Sequence, residues 1–93
     1  MAVVSTPWQW QFPPIVADTT IYAQLGKVFD EVVEVIKAYD EGKGDDRIVE
    51  ELMDVIHAAE TALRIFEEYD DDIDLDFEKR YVVLKNDERG YYG

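Results

Sequence analysis

Between residues 21 and 39 apolar side chains return every three or four positions, at Ile21, Leu25, Val28, Val32, Val35, Ile36 and Tyr39. That spacing gathers them on one face of an α-helix, and Asp18, Thr19 and Thr20 just before it offer oxygens that can cap the first turn. Gly42-Lys43-Gly44 should end the helix, because glycine adopts left-handed backbone without a Cβ penalty, and Asp45 or Asp46 can cap the next one. The period resumes at Ile48, Leu52, Val55, Ile56, Ala59, Leu63 and Phe66, so a second helix runs toward Tyr69. A short turn between two such helices lets their stripes face each other as an antiparallel hairpin. The run Asp-Asp-Asp-Ile-Asp-Leu-Asp at 70–76 reads as a solvated loop, and a third, shorter helix follows to Glu88, with Gly90 past its end.

Residues 1–17 hold all three prolines (Pro7, Pro13, Pro14) and both tryptophans, which excludes a continuous helix and predicts an extended arm. Trp8, Trp10 and Phe12 should pack on the helices or on a partner chain; the alternative is that they stack on a base. Residues 18–93 then form a single all-helical domain. A chain of 93 residues buries a modest share of its surface, and three helices cannot easily cover two long apolar stripes. The fold expectation is therefore an all-α helical hairpin plus a shorter C-terminal helix, assembling with other copies into a multi-chain helical bundle, a homodimer or homotetramer.

Composition narrows the chemistry. A hydrophobic share of 47% with 13% aromatic residues supports a folded chain despite a net charge of -13. There is no cysteine, so disulfides, thiolate metal sites and cysteine nucleophiles drop out together. Twenty-two acidic against nine basic residues repel nucleic acid polymers and anionic membrane surfaces. No apolar run approaches the roughly 20 residues that span a bilayer. The first residues lack the basic-then-apolar pattern of a secretory signal, and the expected location is cytoplasmic. The acidity would repel a triphosphate too, unless divalent cations sit between carboxylates and phosphates.

The acids are grouped. Asp30, Glu31 and Glu34 cluster on the first helix and Glu50, Glu51 and Asp54 on the second, each trio on one face by its spacing of three and four. At about 100° per residue, Glu34 and Asp54 fall opposite the centres of their apolar stripes. Solvated faces of ordinary amphipathic helices would look the same. However, Asp30 with Glu34 and Glu50 with Asp54 are like-charge i,i+4 pairs, each destabilising by on the order of a few tenths of a kcal/mol. A bound cation reverses that sign, and magnesium, a hard ion, prefers such oxygens. Zinc is disfavoured because His57 is the only histidine; it is expected exposed or supporting rather than as a ligand. Asp70, Asp72, Asp74 and Asp76 mimic the start of a calcium-binding hand, but Leu75 stands where that loop needs glycine and Tyr81 where it needs a bidentate Glu.

Asp30-Glu31-Val32-Val33-Glu34 followed by Glu51-Leu52-Met53-Asp54 resembles the two-part acidic signature of the MazG-like all-alpha nucleoside triphosphate pyrophosphohydrolases, a Glu-x-x-Glu on one helix and a Glu-x-x-Asp on the next. Asp30 departs from it, since Glu commonly precedes the first pair. Lys85-Asn86 and Arg89-Gly90-Tyr91-Tyr92 look like the ending of small members of that family. The likeness extends loosely over residues 21–92 and leaves the arm unmatched. It implies magnesium, with manganese as a substitute, held by Glu31, Glu34, Glu51 and Asp54. It further implies Lys85, Asn86 and Arg89 near the nucleotide, and hydrolysis of a ribo- or deoxyribonucleoside triphosphate to monophosphate and pyrophosphate. Glu50, one turn before Asp54, is a candidate to accept the attacking water's proton, as is any of the ligands. Two other readings stay open: a non-catalytic acidic helical oligomer acting as adaptor or inhibitor on a basic protein, and a family member without activity.

Overall fold

A computed structural model describes residues 3–15 and 18–93. The protein is all-helical, with no strand among the described residues. Helix α1 spans Ile21–Asp40, α2 Asp45–Tyr69 and α3 Leu75–Glu88. Thr20 caps α1 by accepting the Ala23 N–H at 3.1 Å. At the other end Lys43 N–H donates to Ala38 O and Gly42 N–H to Tyr39 O, with Gly42 at φ 71°. That double bond pattern needs a left-handed residue, which is why glycine stands there. The same arrangement closes α3, where Gly90 (φ 78°) and Tyr91 donate to Asp87 O and Asn86 O.

Two local expectations change. The cap of α2 is the backbone of Gly44; Asp45 and Asp46 fall inside the first turn, where their charge complements the helix dipole. Before α3 it is Asp74 that caps, accepting from Phe77 N–H at 3.2 Å, which shortens the acidic loop and makes its last two residues helical.

The hairpin of α1 and α2 is the one extensive helix pair among the described residues. Its seam departs from the apolar stripes. Along α1 the only positions that are not exposed are Ile21, Gln24, Val28, Glu31, Val35 and Ala38, a strict three-four alternation that includes two polar residues. The facing line on α2 runs through Ile48, Glu51, Val55, Ala58 and Ala62. Small alanines in that line let the backbones approach closely. In an antiparallel pair, the residue following each seam position falls on the same side of the hairpin for both helices. That side carries Leu25, Phe29, Val32 and Ile36 with Val49, Leu52 and Ile56, all exposed. The preceding residues, Lys27 and Glu34 with Asp54, His57 and Thr61 among them, make the opposite, polar side.

The arm lies on that polar side along the C-terminal half of α2. Both oxygens of Glu60, 2% exposed, accept backbone N–H groups, from Gln11 at 2.9 Å and Phe12 at 3.0 Å. Arg64 donates to Phe12 O at 2.8 Å and covers the Trp10 ring at 4.0 Å from its centroid. On α3, Asp76 accepts from Trp8 N–H and Lys79 donates to Thr6 O and Oγ1. The aromatic residues of the arm thus pack within the chain, Trp8 edge-on to Trp10 and Phe12 stacked on His57. No helix is long and apolar enough to cross a membrane among the described residues.

Candidate metal centre

The seam that brings Glu31 against α2 also brings it to two other acids. One carboxylate oxygen from each of Glu31, Glu51 and Asp54 lies within 4.8 Å of the other two. Glu51 is buried, Glu31 half-buried and Asp54 exposed, so the group opens to solvent on the Asp54 side. In octahedral magnesium coordination at 2.0–2.1 Å, adjacent oxygens sit about 3 Å apart and opposite ones about 4.2 Å apart. The three acids stand within 4.8 Å, somewhat wider than that spacing, and Asp54 is the exposed one of the three.

Two cations already neutralise the acids. Lys27 Nζ is 2.7 Å from Glu31 Oε1, and Arg47 Nη2 is 2.9 Å from Glu51 Oε1 while its Nη1 is 3.5 Å from Glu50 Oε2. Both cationic side chains are well exposed, at 59% and 60%, while their partners Glu31 and Glu51 retain only 14% and 9%. The lysine pKa is raised above its ordinary value, chiefly by the hydrogen bond to Glu31 and then by the charges of Glu31, Asp30 and Asp54. The sign is that of a cation gaining a partner: the stabilisation linked to the lysine is present through the neutral range and is lost as pH rises through the raised lysine value. Each cation's own end faces water and can move, but its departure leaves the poorly exposed carboxylate of Glu31 or Glu51 in need of another cation.

The other expected residues are placed differently. Glu34 is exposed on the polar side one turn beyond Glu31 and outside the three-acid group. Glu50 is 66% exposed and turned to Arg47. Lys85 and Asn86 are half-buried and Arg89 exposed, all at the end of α3; Lys85 Nζ stands 6.0 Å from the Tyr81 ring centre. His57 is half-buried rather than exposed and lines the cavity beside Asp54: the Phe12 ring lies parallel to it at 4.7 Å, and its Nε2 is enclosed without a hydrogen-bond partner.

A cavity of about 520 Å³ adjoins the acids. Glu31, Asp54 and Lys27 border it on one side; Gln24, Ala58 and Thr61 continue it along the hairpin. Gln24 was not legible as a functional residue from hydropathy. The available signal was its place in the alternation of Ile21, Val28 and Val35, where a polar residue enters a seam. Comparison with protein families, with curated proteins and with solved structures found no match.

Proposed function

We propose that the chain is a magnesium-dependent nucleoside triphosphate pyrophosphohydrolase, acting in the cytoplasm on the alpha-beta phosphoanhydride. The observation that carries this reading is the meeting of Glu31, Glu51 and Asp54 from two helices at one solvent-open point. The donor set fits the ion: three carboxylates and no nitrogen or sulfur suit magnesium, or manganese in its place. Bound there, the metal supplies neutralisation of phosphate charge and a lowered pKa for a coordinated water.

The protein's own groups do the rest. Glu31 and Glu51 are fixed by the seam, while Asp54 and the exposed Glu34 have freedom to adjust to the ion and the phosphates. Lys27 and Arg47 hold the acids in check without the ion; with it, both are free to turn to phosphate oxygens, Arg47 with a planar fork suited to two of them. Glu50 stands beside Arg47 and is the candidate to take a proton from the attacking water. Lys85, Asn86 and Arg89 do not border the cavity, and a part for them at the nucleotide rests on a neighbouring copy.

Self-association belongs to the same reading. Phe29 is 67% and Ile36 56% exposed, and with Leu25, Leu52 and Ile56 they make a continuous apolar side that a second copy would cover. That side equally suits an adaptor without activity, so the reaction itself is the test. Incubation with magnesium and a panel of ribo- and deoxyribonucleoside triphosphates should release pyrophosphate. Release should vanish in Glu51→Gln and Asp54→Asn with helicity retained. No turnover of any triphosphate, with no thermal stabilisation by magnesium, would leave the adaptor.

A further inference from the structure

Among the described residues three enclosed side-chain nitrogens lack a hydrogen-bond partner: Trp8 Nε1, His57 Nε2 and Arg64 Nη1. All three lie where the arm meets the helices. Trp8 belongs to the arm, the His57 ring lies under Phe12, and Arg64 covers Trp10 while its Nη2 donates to Phe12 O. The buried polar side chains Gln24 and Thr61 of the hairpin are bonded by contrast, to Ala58 O and His57 O. An enclosed polar atom gives up water and gains no partner in return, so the arm's seat is weaker than its other bonds suggest. A segment seated this way can shift while the hairpin beneath it stays folded.

His57 ties that seat to the cavity. It is the chain's only histidine, stands one turn after Asp54 on the same face of α2, and lines the cavity with Asp54, Glu31 and Lys27. Packing alone gives no reason for its nitrogen, because a phenylalanine ring would stack on Phe12 as well and enclose no polar atom. A neutral imidazole carries one N–H, and Nε2, bonded to nothing, is free to hold that proton and donate it. Phosphate oxygens are strong acceptors for such a donor.

We propose that His57 is a phosphate-binding residue of this cavity, covered by Phe12 in the free protein, and that the arm shifts off it when a polyphosphate enters, letting Nε2 donate to a phosphate oxygen. The proposal rests on reading the three acids as the metal centre. Ile15 borders the same cavity three residues on from Phe12, so a shift that uncovers the imidazole also alters the cavity wall.

The test separates the nitrogen from the ring. His57→Phe keeps the stack and removes the N–H, while His57→Gln returns an amide nitrogen near the place of Nε2. Inorganic tripolyphosphate with magnesium is titrated into each by calorimetry. His57→Phe, with helicity retained, should bind at least about tenfold more weakly, as loss of a hydrogen bond to a charged group allows, and His57→Gln should recover part of that. Phe12→Ala, which removes the cover, should bind at least about twofold more tightly. Trp8 and Trp10 are the chain's only tryptophans and both lie in the arm, so their emission reports its shift. It should change as tripolyphosphate binds, and change less in His57→Phe at equal saturation. Equal affinity in the wild type and His57→Phe, no gain in Phe12→Ala, or binding without a change in emission overturns the proposal, as does an absence of binding. Binding that depends on His57 without turnover of any nucleoside triphosphate would overturn the enzymatic reading and leave this one standing. Turnover that ignores His57→Phe would do the reverse.

Discussion

The two sides of the α1–α2 hairpin invert the usual division between inside and outside. The polar side, with Lys27, Asp54, His57 and Thr61, carries the cavity and is covered along α2 by the arm. The apolar side, with Leu25, Phe29, Ile36, Leu52 and Ile56, is bare. Burial within this chain therefore follows hydrogen bonding as much as hydropathy. The arm consists of extended backbone whose N–H and C=O groups need partners, and charged side chains on α2 and α3 provide them. Among the described residues no comparable segment lies on the apolar side. The contrast separates two surfaces: one side carries the acids and the cavity, the other exposed apolar side chains.

Breaking the arm's attachment should have the largest effect. Glu60→Ala removes a buried charged acceptor from two backbone N–H groups, and hydrogen bonds to charged groups contribute about 1.5–3 kcal/mol each. A loss of about 3 kcal/mol in urea unfolding is expected, with proteolytic nicking of residues 6–12. The three acids should still bind manganese, since the arm's hydrogen bonds go to Glu60, Arg64, Asp76 and Lys79. If Glu60→Ala were neutral, the arm would not be what covers the polar side.

Next comes the bare side. Ile36→Asp combined with Leu52→Asp places charge at two positions already 56% and 46% exposed in the single chain, so helicity should persist. Sedimentation should show the mass falling to that of one chain, because buried apolar anchors at an interface contribute about 2 kcal/mol or more apiece. An unchanged mass would mean that this side does not join copies.

A smaller effect should sharpen the polar side. Lys27→Gln removes the cation from Glu31, leaving the carboxylate freer for a dication and the phosphates without one of their partners. Magnesium titrated without nucleotide should bind about two- to fivefold tighter, as the loss of an exposed ion pair allows. In turnover the KM for triphosphate should rise. Movement of both constants in one direction would contradict the swing of Lys27 from acid to phosphate.

Hydropathy and turn chemistry carried much of this architecture. Tyr69 ends α2, Glu88 ends α3, and Gly42 and Gly90 take the left-handed positions expected of glycine. What could not be read was the seam. The apolar stripe centred on Leu25, Val32 and Ile36 is real, but the helices meet one position away from it, through Gln24, Glu31 and Ala38. Apolar periodicity locates the face that avoids water and does not say which neighbour covers it. The site was legible as two acidic trios, because like charges at i,i+4 need a reason. Which three acids converge was not, since Glu31 with Glu34 and Glu51 with Asp54 have the same spacing and only the seam sets Glu34 apart from the other three.

The point where Glu31, Glu51 and Asp54 meet is central to the proposed activity, and manganese can report on it residue by residue. Added below one equivalent to isotopically labelled protein, the paramagnetic ion should first broaden the amides around Glu31, Glu51 and Asp54. Magnesium should reverse the effect, and Asp54→Asn should abolish it. Broadening that begins instead along the aspartates of 70–76, or spreads evenly over all acidic surfaces, would contradict a metal centre in the hairpin.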